Sequence, residues 1–315
     1  MKNGILVIGS VNHDSIYRVA ELPRPHQTIA ASHFTTAPGG KGANQAVAGA
    51  LATASPVTLL GCVGNDLQAQ MCLSYLEDNK VDVSALTRLE ETPTGTAIIM
   101  VEDSGQNLIV ISGGANAKVS AAHIEQARSL FEQRSVVLLQ LEIPLQAVRS
   151  SLELAKASGA ISILNPAPFV AGVQTLAPLA DIVTPNQAEA TSLTGIAVTD
   201  ETSAREASKH LLDMGVGTAI ITLGSEGSFV ANQKEMKYLL PYRIDNIVDT
   251  TGAGDVYNGA LAAALNDGAD VFAAADFASA AASMSVMKPT ASNCAPSKSQ
   301  VIAFRNEQQT GKTGG

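Results

Sequence analysis

A parallel α/β fold, with helices covering both faces of one central sheet, is predicted by two features of the sequence. Short β-rich runs alternate with longer helix-spaced stretches along nearly the whole chain, the order a parallel sheet with crossover helices requires. Several of these runs are apolar without alternation, as strands buried on both faces are. Length sets the scale. The 315 residues lie near the roughly 250–300 at which one hydrophobic core stops growing, so one large domain or two modest ones are expected.

The first element is the apolar run Ile5 to Ile8, a short strand that meets polar Asn12-His13-Asp14. The other candidate strands are Val57 to Cys62, Val136 to Leu141, Ile161 to Leu164, Ile182 to Thr184 and Ala219 to Leu223. Helical spacing falls between them, over Gln45 to Ala54, Leu67 to Asn79, Ala121 to Gln133, Leu145 to Ser158, Glu189 to Gly195 and Ser203 to Met214. Val256 to Leu265 is helical in pattern. Ala273 to Met287, Ala/Ser-rich and interrupted by Asp276, reads as a buried helix.

Two stretches break this rhythm. Residues Ile16 to Ala37 and Thr94 to Gly114 read as extended segments, the second a hairpin turning at Ser104-Gly105. Together they form an accessory sheet, either a lid over a site or a dimer edge. Ser228 to Leu240 reads as a further hairpin, peripheral to the core. The expected organisation is a single domain over 1–308, with a lid from about 12–37 and 94–114 and a disordered tail over 309–315.

Composition excludes several functions. The formal net charge is −9, and no Lys/Arg run marks a nucleic-acid footprint. Without Trp, and with 7 Phe and 5 Tyr, an aromatic platform for bases or sugars is poorly supplied, so a sugar would be held by polar groups. Cys62, Cys72 and Cys294 match neither a disulfide framework nor a zinc pattern, and a reducing cytoplasm is the simplest compartment. The N-terminal apolar run is too short for a signal peptide, and no run reaches the about 18 apolar residues of a membrane span. The five histidines show no metal spacing, and the methionines read as core fillers.

In an open α/β sheet, ligands bind beyond the carboxyl ends of the strands. Polar residues gather there: Ser10 to Asp14 after the first run, then Gln140-Leu141-Glu142, Asn165-Pro166-Ala167-Pro168, Pro185 to Glu189, and Thr222 to Gly227. Any one could be an ordinary loop with a helix cap, but five together point to a site. Asp249-Thr250-Thr251-Gly252-Ala253-Gly254-Asp255 is the most informative segment. Its glycines permit close backbone approach, and the following helix N-terminus suits an anion. Asp255, in the first turn, is either a cap or the base that takes a proton from an attacking hydroxyl. Gly39-Gly40-Lys41-Gly42-Ala43-Asn44-Gln45-Ala46 is a second Gly-rich turn, matching neither the dinucleotide nor the P-loop spacing. Gly311-Lys312-Thr313 lacks the strand and first glycine of a P-loop.

The pairing of GGKGANQA at 39–46 with DTTGAGD at 249–255 resembles the two signature regions of the ribokinase-like (PfkB) family of carbohydrate kinases. The likeness runs from Asn12 to about Phe304 and includes QLE, NPAP, PNQAE and TLGSEG in order. It implies a three-layer α/β/α core with a small β-sheet lid, and ATP-dependent transfer of a phosphoryl group to the 5-hydroxyl of D-ribose. Asp255 would then be the base, with Gly252, Ala253 and Gly254 as the anion hole. Asn12, Asp14, Gly40, Lys41, Gly42, Ala43, Asn44 and Glu142 would hold the sugar. Asn186 and Glu189 would orient Mg²⁺ and the phosphates, partly through water. Thr222, Leu223, Gly224, Ser225, Glu226, Gly227 and Ser279 would line the nucleotide with Asn186, Gly254 and Asp255. A homodimer through the lid is implied, with neither nucleic acid nor membrane as partner.

The sequence departs from that pattern at the family's monovalent-cation site. Asp249 and Thr251 fit a K⁺ site, as do carbonyls near Ser285, Lys288 and Thr290, but Cys294 stands where Ser is usual and Thr290 where Gly is common. A neutral thiol is a poor ligand for a hard cation. Val256-Tyr257 replaces the commoner Thr-Phe after the base, and Ser279 replaces a larger polar residue. Three alternatives stay open. One is a family kinase for 2-deoxyribose, a ketose or a nucleoside; another is a catalytically silent sugar-binding protein, which would have lost the base, the glycines or the NxxE carboxylate. A dinucleotide-dependent dehydrogenase is disfavoured by Ser10-Val11-Asn12 after the first strand.

Overall fold

The structure is a computed structural model that describes residues 2–104, 106–288 and 293–310. In chain order its strands are β1 (Ile5–Ile8), β2 (Asn12–Val19), β3 (His33–Gly39), β4 (Val57–Gly64), β5 (Val81–Asp82), β6 (Leu86–Leu89), β7 (Gly95–Glu102), β8 (Asn107–Ser112), β9 (Val136–Leu139), β10 (Ile161–Leu164), β11 (Ile182–Val183), β12 (Thr218–Thr222), β13 (Ser228–Asn232) and β14 (Met236–Leu239). The helices are α1 (Lys41–Ala52), α2 (Leu67–Asp78), α3 (Ala121–Gln126), α4 (Arg128–Gln133), α5 (Leu145–Ser158), α6 (Gln187–Thr194), α7 (Glu201–Asp213), α8 (Ala253–Asn266), α9 (Val271–Ser285) and α10 (Lys298–Thr310).

Among the described residues, ten strands form the central sheet in the order β14-β13-β12-β11-β10-β9-β1-β4-β5, with β6 also on β4. All pairs from β12 to β5 are parallel. Their registers align Ile5 with Val57 and Val136, and Val136 with Ile161, so the carboxyl ends share one edge. Strand β1 shows why the apolar runs do not alternate. Ile5 and Val7 enter the core beneath α1, α2, α8 and α9, while Leu6 and Ile8 enter the opposite core beneath α3 to α7. All four are fully buried, each worth roughly 1.5–3 kcal/mol relative to exposure.

The predicted α/β class, with helices on both faces and a small second sheet, is what the chain adopts. That second sheet runs β3-β2-β7-β8, and β2 lies parallel to β7 with Asn12 opposite Gly95. Several boundaries differ from expectation. The segment 228–240 is not peripheral: β13 pairs antiparallel with β12 and makes the edge of the central sheet with β14. The 121–133 helix is two, broken at Ala127. Residues 308–310 belong to α10, so the expected disordered tail is helical at its start; the rest of it, with the 311–313 motif, lies outside the described residues.

Two glycines bring the site together. A Cβ on Gly259 of α8 would lie 2.5 Å from the Gln45 carbonyl oxygen and 2.6 Å from Ala48 Cβ, so α8 crosses α1 at backbone contact. A Cβ on Gly42 would lie 2.5 Å from Ser10 N, which lets the start of α1 press onto the link between β1 and β2.

Candidate active site

The Lys41–Asn44 segment is not a loop, as its glycines suggested, but the first turn of α1. Gly40 precedes it as N-cap at φ 89°, a conformation that favours glycine. The turn is tied down from two sides: Ala43 N–H donates to the Ser10 carbonyl at 2.9 Å, and Lys41 N–H donates to Glu142 Oε2 at 3.0 Å. Ser10 Oγ donates to the same carboxylate oxygen. Glu142, at the end of β9, thereby joins the loop after β1 to the start of α1.

Asp255 sits in the first turn of α8 and is 6% exposed. Its Oδ1 accepts from Gln45 Nε2 at 3.0 Å and its Oδ2 from Asn44 Nδ2 at 3.2 Å. Burial pushes its carboxyl above the ordinary range, opposed by the Lys41 ammonium and the two amides. Lys41 in turn is held above its ordinary value, first by Asp255, against its own burial, and then by Glu142 and Glu189. These four charged side chains, on α1, α8, α6 and the β9 loop, form one electrostatic cluster.

Gly252 caps α8 at φ 80°. Of the three N–H groups at 252–254, that of Ala253 makes a long 3.3 Å bond to the Thr250 carbonyl, leaving the glycine N–H groups for an incoming anion. A Cβ on Gly254 would meet nothing within 4 Å, so the space beside this turn is open to a ligand.

Asn12 and Asp14 lie at the start of β2. Burial, helped by Glu142, pushes the Asp14 carboxyl from 3.8 up to about 7, and its buried Oδ1 has no hydrogen-bond partner. A hydroxyl donor would satisfy that oxygen. Asn12 is 3% exposed, and its Oδ1 accepts from Asn116 Nδ2 at 2.8 Å. Asn116 also accepts from Val11 N–H at 2.9 Å. Sequence reading missed Asn116, which lies far along the chain in the short turn after β8 and carries no motif.

Asn186 and Glu189 form a reciprocal capping box at the start of α6. Asn186 Oδ1 accepts Glu189 N–H and Glu189 Oε2 accepts Asn186 N–H, both at 2.9 Å. Burial raises the Glu189 carboxyl, opposed by the Asn186 N–H and Lys41. Thr222 N–H donates to the Pro185 carbonyl at 3.0 Å, setting the 222–227 turn beside this box. Gly224 and Gly227 adopt φ 60° and 102° there. Ser279, in α9, is half-buried. No group of three His, Cys, Asp or Glu side chains that could hold a metal occurs among the described residues. The donor set fits a divalent ion carried mainly by phosphate and water oxygens, as Mg²⁺ is, and not a protein cage.

For the expected K⁺ site, Val248 and Asp249 N–H both donate to the Val286 carbonyl, at 2.8 and 3.2 Å, bringing that loop against the end of α9. Asp249 Oδ1 accepts Thr251 N–H at 2.8 Å, and Lys288 N–H donates to the Ser285 carbonyl at 3.1 Å. Ser285 Oγ donates to the Ala282 carbonyl at 2.7 Å. Cys294 is buried, and that burial pushes its thiol up. Thr290 lies outside the described residues.

Comparison with known proteins adds what geometry alone lacks. The family model described as pfkB family carbohydrate kinase matches residues 2–298. The chain is 35% identical to the ribokinase of Haemophilus influenzae over 96% of its length and 99% of that protein. It is 37% identical to the ribokinase of Staphylococcus aureus, over 91% and 95% respectively. The solved structure of Arabidopsis thaliana ribokinase complexed with ribose and ATP superposes with a TM-score of 0.89 at 31% identity, covering 96% of this chain and 99% of that one.

Proposed function

The chain belongs to the pfkB family of carbohydrate kinases, and from that membership we propose that it transfers the γ-phosphoryl group of ATP to the 5-hydroxyl of D-ribose, giving ribose 5-phosphate and ADP. One observation carries this reading. Asp255 is buried between an open anion-binding turn on one side and the polar set of Lys41, Asn44, Asp14 and Glu142 on the other. A hydroxyl held by that set lies between a base and an anion hole, the arrangement in-line phosphoryl transfer needs.

Asp255 takes the proton of the attacking hydroxyl, and burial, by raising its carboxyl, makes it a stronger base than an exposed aspartate. The N–H groups of Gly252 and Gly254, joined by that of Ala253 when it leaves its long bond to Thr250, lie at the positive end of α8 and stabilise charge developing on the phosphoryl oxygens. Asn12, Asp14, Gly40, Lys41, Gly42, Ala43, Asn44 and Glu142 surround the sugar. The Thr222–Gly227 turn, with Asn186 and Ser279, lines the nucleotide. Mg²⁺ bound with ATP would supply charge neutralisation on the phosphates, held in place by Asn186 and Glu189 through water. A K⁺ activator would draw on Asp249, Thr251 and the carbonyls near Ser285 and Lys288, with Cys294 adding little.

The same reading makes 1–308 one kinase domain, the second sheet a lid, and the protein a cytoplasmic homodimer without nucleic-acid or membrane partners. The dimer is supported by one observation: every residue of the edge strand β8 is exposed although most are apolar. The deciding experiment compares kcat/KM for ribose, 2-deoxyribose, fructose, adenosine and pseudouridine, with Asp255→Asn as control. Ribose should rank first and the variant should lose several orders of magnitude in kcat. Another sugar ahead by about tenfold, a difference of about 1.4 kcal/mol in transition-state binding, would overturn the substrate, and an active Asp255→Asn would overturn the base.

A further inference from the structure

Gln45 belongs to the signature helix but has had no part in the chemistry so far. It is fully buried, and every polar atom of its amide is engaged. Nε2 donates to Asp255 Oδ1 at 3.0 Å and to Asn165 Oδ1 at 3.1 Å, while Oε1 accepts from Gln140 Nε2 at 2.7 Å. Asn165 passes the constraint on, its Nδ2 donating to the Thr184 carbonyl at 3.2 Å. Thr184 Oγ1 donates to Asn258 Oδ1 at 2.6 Å, and Asn258 Nδ2 returns to the Gly254 carbonyl at 2.8 Å. The chain of amides thus starts at Asp255 and closes on the carbonyl of the residue before it, Gly254.

The direction of the network is dictated chemically. An ionised carboxylate only accepts, so Gln45 must present its NH₂ to Asp255. Its carbonyl must then face Gln140. That leaves Gln140 Oε1 buried without a partner, a cost of about 1–3 kcal/mol that an apolar residue would avoid. The two oxygens of Asp255 are also unlike. Oδ1 faces the sealed network, whereas Oδ2 meets only half-buried Asn44.

We propose that Gln45 is a positioning residue for the base: anchored by Gln140 and Asn165, it grips Asp255 Oδ1 so that Oδ2 alone is turned to the acceptor hydroxyl. This rests on the assignment of Asp255 as base. The charged and titratable groups that face Asp255 are Lys41 from α1, Glu142 from the β9 loop, Glu189 from α6 and Cys294 after α9; none of them replaces the Gln45 bond. Freed from it, the carboxylate can rotate away from the productive geometry.

The test compares Gln45→Met, which keeps the length of the side chain and removes every polar bond, with Gln140→Leu, which removes only the anchor. Gln45→Met should lower kcat about 10- to 100-fold, the scale of a misplacement near 1 Å, with KM for sugar and ATP within about twofold. The acid limb of its kcat profile should move to higher pH, since an amide donor that favoured the carboxylate is gone. Gln140→Leu should move both readouts the same way by less. If Gln45→Met does not fold, Gln140→Leu decides alone. Soluble variants with an unmoved acid limb, or with kcat and KM falling together, overturn the positioning role. Asp255→Asn separates the two claims. Should it stay active, the base assignment fails; should it be dead while the Gln variants keep the parental profile, only the role of Gln45 fails.

Discussion

Replacing Asp14 by Asn should make the sugar-free protein more stable at alkaline pH while removing its affinity for sugar. The cause is local: burial, assisted by Glu142, lifts the carboxyl from 3.8 to about 7, and Oδ1 has no donor. Below about pH 4 the group is neutral in both folded and unfolded chains. Between there and about 7 the unfolded chain has lost the proton that the fold still holds, so stability falls as pH rises and levels off above the folded value. The interval spans about three pH units at about 1.4 kcal/mol each, so ionised Asp14 costs the empty fold on the order of 4 kcal/mol. Asn cannot ionise and escapes this loss. Urea denaturation of both proteins should show the stability difference moving in the variant's favour by ~2–3 kcal/mol between about pH 5 and about pH 8.5. A sugar hydroxyl donating to Oδ1 would favour the carboxylate, so calorimetry of sugar binding near neutral pH should register proton release from the parent and none from the variant. A stability difference that stays flat between these pH values would refute the reasoning, because Asp14 is the titrating group that the substitution removes.

Gly259→Ala should be costly although alanine is the better helix former. Its Cβ, at 2.5 Å from the Gln45 carbonyl and 2.6 Å from Ala48 Cβ, forces α8 and α1 apart by most of an ångström, with a stability loss of about 1–3 kcal/mol and a fall in kcat as Asp255 leaves Gln45. Parental urea midpoint and parental kcat in this variant would show that the crossing is not tight. Ile109→Lys combined with Ile111→Lys, two residues 52% and 53% exposed on β8, should convert a dimer into a monomer by light scattering, since edge lysines block strand pairing. A parent that is already monomeric at micromolar concentration would remove the lid-mediated dimer.

The site was legible in the sequence to the extent that it follows a rule of parallel sheets. Once Ile5–Ile8, Val136–Leu139, Ile161–Leu164 and Thr218–Thr222 are recognised as strands, Asn12, Glu142, Asn165 and Thr222 must share an edge, whatever their distance along the chain. What escaped were residues whose role depends on three-dimensional closure. Asn116 reaches Asn12 across 104 positions and Gln45 reaches Asp255 across 210; in a linear reading each is one more polar residue beside a helix. The hairpin at 228–240 was misread for a related reason. The apolar run Phe229–Ala231 is consistent with a strand but does not say which sheet it joins, and only its pairing with β12 makes it the end of the core.

Under the proposed kinase reading, the electrostatics of the cluster suit each half of the site to a different ligand. Lys41 is the cation that faces Asp255, Glu142 and Glu189 together, so local carboxylates outnumber it before any phosphate arrives. An anion brought to that side would add repulsion, whereas a neutral polyol adds donors that unpaired acceptors such as Asp14 Oδ1 require. The turn at 252–254 has the opposite character. It offers backbone N–H groups and the positive end of α8, with no side chain in the space beside Gly254, a character that would suit phosphate without a formal positive charge of its own. Asp255 stands at the boundary, and in the proposed reaction the proton leaving the hydroxyl would enter a carboxylate that burial has already made more basic. An overall charge of −9 is therefore compatible with a nucleotide substrate, because the attraction is supplied within a few ångströms by dipoles and not by the net field of the protein.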